Sequence, residues 1–352
     1  MTEGVWGNYK KGIVFTGCFV YNSLGDVMKQ FVINQNDSGQ RVDKFLQKAV
    51  PDLPKSLMYK YIRLKRIKLN RKRCEISTRL NKGDILELYI NDEFFSQNRH
   101  SHSFLSAPAE AFIIFEDDNI LICDKPSGLV VHEDESGSAD TLINRVLRCL
   151  FERGSFDPDK ENSFAPALCN RIDRNTQGLV ICAKNAEALR IMNEKIKNRE
   201  MEKEYLCVCI GIPKEKKAEL KAFSRRDKKT KTVTVSDKPL PDGKTMITRY
   251  EVISENKQEG LSLLKVRLIT GRTHQIRAHM AHIGYPLLGD GKYGINKRNR
   301  EYNVKTQALC SYRLTFRFKG EPGCLEDLNG RTFTASQPWF VKKWFPEYGN
   351  GL

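Results

Sequence analysis

The sequence contains no Cys-x-x-Cys pair, and its ten cysteines, at 18, 74, 123, 149, 169, 182, 207, 209, 310 and 324, are dispersed. Without that spacing neither a zinc ribbon nor a thioredoxin-type redox pair is supported. Reduced, buried thiols in a cytoplasmic protein are the expectation. Cys207 and Cys209 alternate within YLCVCIG, as two thiols on one face of a strand would. No apolar run approaches the roughly 20 residues of a membrane-spanning helix, so no membrane association is expected. No G-x-x-x-x-G-K-[ST] phosphate loop is present. The histidines His274, His279 and His282 lack the H-E-x-x-H pattern and a supporting acid, so no metal and no cofactor is expected.

Negative charge is in the minority. Against 43 Asp and Glu stand 59 Lys and Arg, a net charge of +16. A chain this basic usually meets a polyanion, of which nucleic acid is the commonest; a solvated basic surface is the plainer alternative. The distribution favours a binding face, because residues 41–90 hold 14 Lys and Arg against 5 Asp and Glu. A hydrophobic content of 40% with 18 Phe, 12 Tyr and 3 Trp marks a folded protein. A length of 352 residues allows more than one domain.

Four sections are expected. Residues 1–28 read as a leader, either an extended reading frame or a disordered segment. Residues 29–91 read as a small basic domain. Its first helix carries Val42, Phe45, Leu46 and Ala49 and its second Leu57, Met58, Tyr61, Ile62 and Leu64. A short strand pair turning at Asn70-Arg71 follows. Residues 92–107 are polar and read as a linker. From 108 to 346 strands and helices intersperse: a hairpin around Asp117-Asp118-Asn119, helices near 139–152 and 185–198, and strands at LVICA, KEYLCVCIG, 247–255 and 261–269. Hairpin-linked strands of this kind predict an α+β fold with a mixed, largely antiparallel sheet rather than a doubly wound one.

Within NRIDRNTQG, residues 170–178, Asp173 stands between Arg171 and Arg174 at the start of a buried strand. A carboxylate held ionised there can act as a nucleophile or as the counter-charge to a cation developing at a sugar carbon. A surface Arg–Asp pair is the plainer alternative. In TGRTHQIRAHM, residues 270–280, a turn followed by a helix start places Arg272, His274 and Arg277 where an anion is favoured. Tyr205 enters the KEYLCVCIG strand; core packing is its ordinary use, whereas beside Asp173 it can stack on a base and move a proton. The segment SRRDKKTKTVTV offers Arg225, Arg226, Lys228 and Lys229 to phosphates, or to solvent at a hairpin tip. Lys60, Arg63, Lys65, Arg66, Lys68, Arg71, Lys72 and Arg73 give the small domain the same character.

Taken in order, DKPSGLVVH (124–132), NRIDRNTQGLVICAKN (170–185), KEY (203–205) and TGRTHQIRAHMAHIGYPLLGDGKYG (270–294) resemble the RluA family of pseudouridine synthases. Residues 41–90 resemble an S4 RNA-binding module of αL type, as in RluC-type members that act on large-subunit ribosomal RNA. The resemblance implies that Asp173 is the catalytic aspartate and that Arg277 forms its salt bridge. It also implies that Arg171 fills the gap left by an everted uridine and that Tyr205 packs on the flipped base. Asn170 stands where the family often has His, and Gln177 where it has Ser or Gly.

The implied activity is isomerisation of uridine to pseudouridine in RNA by base flipping and an aspartate-dependent glycosidic rearrangement. The implied substrate is 23S ribosomal RNA, with transfer RNA second, acted on by a monomer. A ribosome-associated RNA-binding protein without catalysis and a base-removing glycosylase are the rivals, and the intact set Arg171, Asp173, Tyr205 and Arg277 speaks against the former.

Overall fold

The computed structural model describes residues 19–21, 27–95, 102–133, 137–227 and 229–349. The chain forms two compact units, Met1–Ser101 with Phe156–Ala165, and His102–Ser155 with Pro166–Leu352. Among the described residues no helix is long and apolar enough to cross a membrane.

The first unit contains β1 (Phe19–Tyr21), β2 (Val27–Val32), α1 (Val42–Ala49), α2 (Lys55–Arg63), β3 (Ile67–Leu69), β4 (Lys72–Arg73) and β5 (Ile85–Leu88). Its strands form one antiparallel sheet in the order β1-β2-β5-β3-β4. Helix α1 buries Val42, Phe45, Leu46 and Ala49, the spacing that keeps one helical stripe inward. Phe45 meets Phe31 of β2 edge-on at 5.5 Å. The β3–β4 hairpin turns on Asn70 and Arg71, both at positive φ, as a two-residue turn matched to strand twist requires.

Three expected boundaries move. Strand β1 lies inside the expected leader and pairs with β2 (Val20 opposite Met28), so the sheet has five strands rather than a pair; residues 1–18 and 22–26 of the leader lie outside the described residues. The expected linker is anchored at both ends. Residues Asp92–Phe95 form a 3-10 turn that buries Phe94 in the first unit's core, and Phe104 is buried against Phe151 in the second unit at 5.8 Å. Residues 96–101 lie outside the described residues. Residues 156–165, expected in the catalytic section, belong to the first unit. The cause is Asp37, fully buried: Ser163 Oγ and Asn162 Nδ2 both donate to its carboxylate at 2.6 Å. Asn34 and Asn36 in turn donate to Glu161 at 3.0 and 2.8 Å.

The second unit contains β6 (Ile113–Glu116), β7 (Ile120–Lys125), α3 (Leu142–Glu152), β8 (Ala167–Leu168), β9 (Gln177–Ala183), α4 (Ala186–Lys197), β10 (Met201–Ile210), β11 (Lys217–Arg226), β12 (Val233–Ser236), β13 (Lys244–Asn256), β14 (Leu261–Leu268), α5 (Gln275–His282), α6 (Asn296–Glu301), β15 (Leu309–Phe316), β16 (Thr332–Thr334) and α7 (Trp339–Trp344). The sheet runs β12-β11-β13-β14-β10-β15-β9-β7-β6, with β8 on β9 and β16 on β15. It is mixed and largely antiparallel: β15 and β9 run parallel, while the other pairs are antiparallel. Strand β10 is buried on both faces. Leu206, Val208 and Ile210 join one core, and Tyr205, Cys207 and Cys209 the other. That alternation is why YLCVCIG is apolar throughout.

Candidate active site

Asp173 lies in the loop between β8 and β9. The Thr176 N–H donates to the Asp173 carbonyl at 3.0 Å, closing a turn. The loop is clamped from the last residue of β7 and the segment after it. Lys125, fully buried, donates through Nζ to the carbonyls of Pro126, Leu129 and Arg174, each at 2.8 Å. Gly128 N and Ser127 Oγ bond the carbonyls of Arg174 and Asn175 at 3.0 and 2.9 Å. Burial pulls the Lys125 ammonium down to about 7, against the attraction of Asp173 and Asp124. Gly178 then enters β9 at φ +114. A Cβ there would meet the Ser311 carbonyl carbon of the parallel neighbour at 2.8 Å, so β9 and β15 approach as only glycine permits.

Asp173 takes its cation from a distant segment. Arg277 Nη1 donates to Asp173 Oδ2 at 2.8 Å. The same guanidinium donates through Nε and Nη2 to Asp290 Oδ2 and Oδ1 at 2.7 and 2.9 Å. Arg277 thus bridges two carboxylates, one fully buried at Asp290 and one 30% exposed at Asp173. Asp290 Oδ1 also accepts the backbone N–H groups of Lys292 and Tyr293 at 2.8 and 3.1 Å. Burial raises the Asp290 carboxyl, but Arg277 and these N–H donors reverse that and hold it below its ordinary value. Burial likewise works against the Arg277 cation, and the two carboxylates raise its pKa overall.

Arg171, Ile172, Asp173, Tyr205, Arg272, His274 and Arg277 line one open cleft. Tyr205 sits at a register shift between β10 and β15, where Glu204 faces Arg313 but Tyr205 faces Ser311. Such bulges re-aim a side chain, often beside an active site. Burial pushes its phenol up to about 12, opposed by a hydrogen bond with Ser311 and assisted by the charge on Asp173. Arg272 is held by Nε to the Thr245 carbonyl at 3.0 Å, and its N–H reaches Gln275 Oε1 at the same distance. His274 stands at φ 51, before the first residue of α5. Its Nδ1 is 2.9 Å from Tyr293 Oη and its Nε2 is 3.9 Å from Asp173 Oδ1.

The cleft therefore joins the four expected catalytic residues with Arg272 and His274. It does not include Arg225 and Arg226, which are exposed on β11, or the exposed Lys229; Lys228 lies outside the described residues. In the first unit Lys60, Arg63, Lys65, Arg66, Arg71, Lys72 and Arg73 are exposed and Lys68 is half-buried. Two residues escaped the sequence reading, Asp290 and Tyr293, both inside GDGKYG. The signal was an acid in a glycine-rich turn after a helix carrying a buried arginine. Asn170 lies outside the cleft, where its Oδ1 accepts the Ile181 N–H at 2.8 Å and ties the Asp173 loop to β9. Among the described residues no group of three or more His, Cys, Asp or Glu could hold a metal ion.

Residues 119–282 match the family described as RNA pseudouridylate synthase. An uncharacterized RNA pseudouridine synthase of Mycoplasma genitalium is 36% identical over 293 residues, covering 82% of this chain and 90% of that one. The ribosomal large subunit pseudouridine synthase C of Vibrio parahaemolyticus is 32% identical, covering 81% and 85%. Among solved structures, human RNA pseudouridylate synthase domain containing 4 shares the fold, with a TM-score of 0.52 at 19% identity over 68% of this chain and 94% of that one. The chain belongs to the RNA pseudouridine synthases, in their RluA/RluC-like group.

Proposed function

We propose that this enzyme converts specific uridines of large-subunit ribosomal RNA to pseudouridine, with Asp173 as the reacting carboxylate. The observation that carries the reading is the bridge of Arg277 between Asp290 and Asp173 at the wall of a cleft that also holds Tyr205. Isomerisation breaks the N1–C1′ bond, turns the base in place and joins C5 to C1′; the C5 proton leaves and N1 gains one. The reaction consumes no water. It calls for an ionised carboxylate near the sugar, a surface for the everted base and a filler for the gap in the RNA. Arg277 engages Oδ2 of Asp173, and Oδ1 is the oxygen left to work on the nucleoside. Tyr205 packs on the base, and the exposed Arg171 at the cleft fills the stack. Extrusion costs a few kcal/mol, least in a loop or bulge, and these two contacts offset it.

We assign the first unit as an S4-type RNA-binding module. Exposed Lys60 and Arg63 on α2 and Lys72 and Arg73 on β4 support it, as cations that hold phosphates without reading sequence. The large-subunit name carried by the Vibrio relative supports the choice of ribosomal over transfer RNA.

The test is carbodiimide mapping of 23S ribosomal RNA and of transfer RNA, each incubated with the purified chain or with Asp173→Asn. New pseudouridines in 23S RNA with the wild type and none with Asp173→Asn are expected. Full turnover by Asp173→Asn would remove the assigned role, and modification of transfer RNA alone would remove the assigned substrate.

A further inference from the structure

The hydroxyl of Tyr293 has one proton and two lone pairs, and two groups reach it. The backbone N–H of Val233, the first residue of β12, donates to Tyr293 Oη at 2.8 Å. A peptide nitrogen only donates, so this bond occupies a lone pair. The second partner of the hydroxyl is His274 Nδ1 at 2.9 Å. A neutral imidazole carries its hydrogen on one nitrogen and accepts at the other. Donation from Tyr293 to Nδ1 satisfies both groups and leaves the imidazole hydrogen on Nε2. That nitrogen points into the cleft, 3.9 Å from Asp173 Oδ1 and beyond hydrogen-bond length.

We propose that Tyr293 locks His274 as the Nε2–H tautomer, so that His274 donates this hydrogen to an acceptor oxygen of the everted base beside Asp173. This rests on the reading of the cleft as the uridine site. An unlocked imidazole can present either a donor or a lone pair; the locked one presents a donor only. Uracil offers two carbonyl oxygens, whereas cytosine has an amino donor in place of one of them. A fixed donor on that edge accepts the first base and opposes the second. Tyr293 is the positioning residue, kept in place by Val233 and by the Arg277 guanidinium 5.4 Å from its ring centre.

Charges face His274 from each neighbouring segment. Asp173 on the β8–β9 loop and Asp290 after α5 favour the imidazolium, while Arg277 on α5 and Lys292 beside Tyr293 oppose it. Burial outweighs them and lowers the pKa below the ordinary histidine value, so the neutral ring that the lock needs is favoured at neutral pH.

Nitrogen NMR of the full chain labelled at histidine reads the lock directly, with His274→Gln assigning the resonance. At neutral pH the expected spectrum shows Nδ1 bare and Nε2 protonated, and Tyr293→Phe mixes the tautomers. A protonated Nδ1 in the wild type overturns the lock. Turnover reads the contact: His274→Ala loses about 10- to 100-fold in kcat/KM, the scale of leaving one hydrogen-bond partner unsatisfied. His274→Gln, whose amide restores an N–H near Nε2, recovers part of it. Tyr293→Phe lowers kcat/KM at neutral pH, where part of the freed ring presents a lone pair at Nε2, and lowers it less at acid pH, where the imidazolium donates from both nitrogens. Wild-type kcat/KM in His274→Ala, or in Tyr293→Phe at neutral pH, overturns the contact. A wild type that makes no pseudouridine in any RNA overturns the functional reading, whereas the spectrum judges the lock without it.

Discussion

Arg277 and Asp290 form a bidentate pair with the carboxylate fully buried and the guanidinium 7% exposed, and the remaining guanidinium nitrogen reaches Asp173. The direction of Arg277 is therefore set before substrate arrives. Asp290→Asn keeps the volume but leaves a buried cation with half its counter-charge. Breaking a buried pair from one side costs about 3–5 kcal/mol. Urea denaturation should show a loss of that size, and single-turnover assays should show a lower rate of pseudouridine formation in the fraction that remains folded.

The same pair sets an acid limit on stability. The folded pKa of Asp290 lies below its ordinary value, and an unfolded Asp titrates near about 3.9. A depressed carboxylate contributes stability that is complete above the unfolded value and is lost as pH falls through the folded one. The stability difference between the wild type and Asp290→Asn should therefore be constant from neutral pH down to about 5 and shrink below about 4. A difference that grows on acidification would contradict the pairing.

Tyr205 is neutral through the ordinary assay range, because burial pushes its phenol up to about 12. Tyr205→Phe keeps the ring assigned here to pack on the base and removes the hydroxyl alone. The expected outcome is an unchanged KM with kcat lower by about 100-fold or more, the scale of a lost proton-transfer group. No alkaline limb from this hydroxyl should appear in the wild-type pH profile. Tyr205→Leu should raise KM as well, since the stacking surface goes with the ring.

Asp173, Tyr205 and Arg277 were legible because each sits in an ordered motif whose residues are read by type and sequence spacing. Asp290 was not, although it lies in one of those motifs. A lone acid among glycines looks like turn chemistry until a guanidinium 13 positions away is seen to close on it. Proximity alone suggested Arg171 and Arg174 as partners of Asp173; the resemblance gave Arg277 instead, and the structure forms that pair across 104 positions. The mixed, largely antiparallel sheet was legible from alternation and hairpin turns. The membership of residues 156–165 in the first unit was not, because polar bonds to Asp37 and through Glu161 hold that segment and leave no hydrophobic period.

Gly178 couples this sheet to the site, since it is the second residue of the strand that follows the Asp173 loop and lies there at positive φ against Ser311. Gly178→Ala cannot adopt the native backbone without moving β15. It should destabilise the protein by more than about 1 kcal/mol, because alanine is strained where φ is positive. Thermal melting checks this. Turnover should fall with stability, whereas an alanine at Gly128, which has open space around its Cβ position but also positive φ, should show the backbone strain without the steric part.

Lys72 and Arg73, exposed on β4 of the first unit, carry the assigned contact with the RNA backbone and lie outside the residues that line the cleft. Replacing both with Glu should weaken binding to 23S RNA fragments of unrelated sequence by similar factors, since phosphate contacts carry no sequence information. The slope of log affinity against log salt should become shallower by about 0.7–0.9 for each phosphate that is no longer neutralised. Filter binding over a salt series measures this. Turnover at saturating RNA should stay near that of the wild type, with the deficit confined to KM, because the bridge Asp290–Arg277–Asp173 is untouched. A fall in kcat with an unchanged salt slope would mean that these cations do not meet the RNA backbone and that the first unit acts in some way other than phosphate binding.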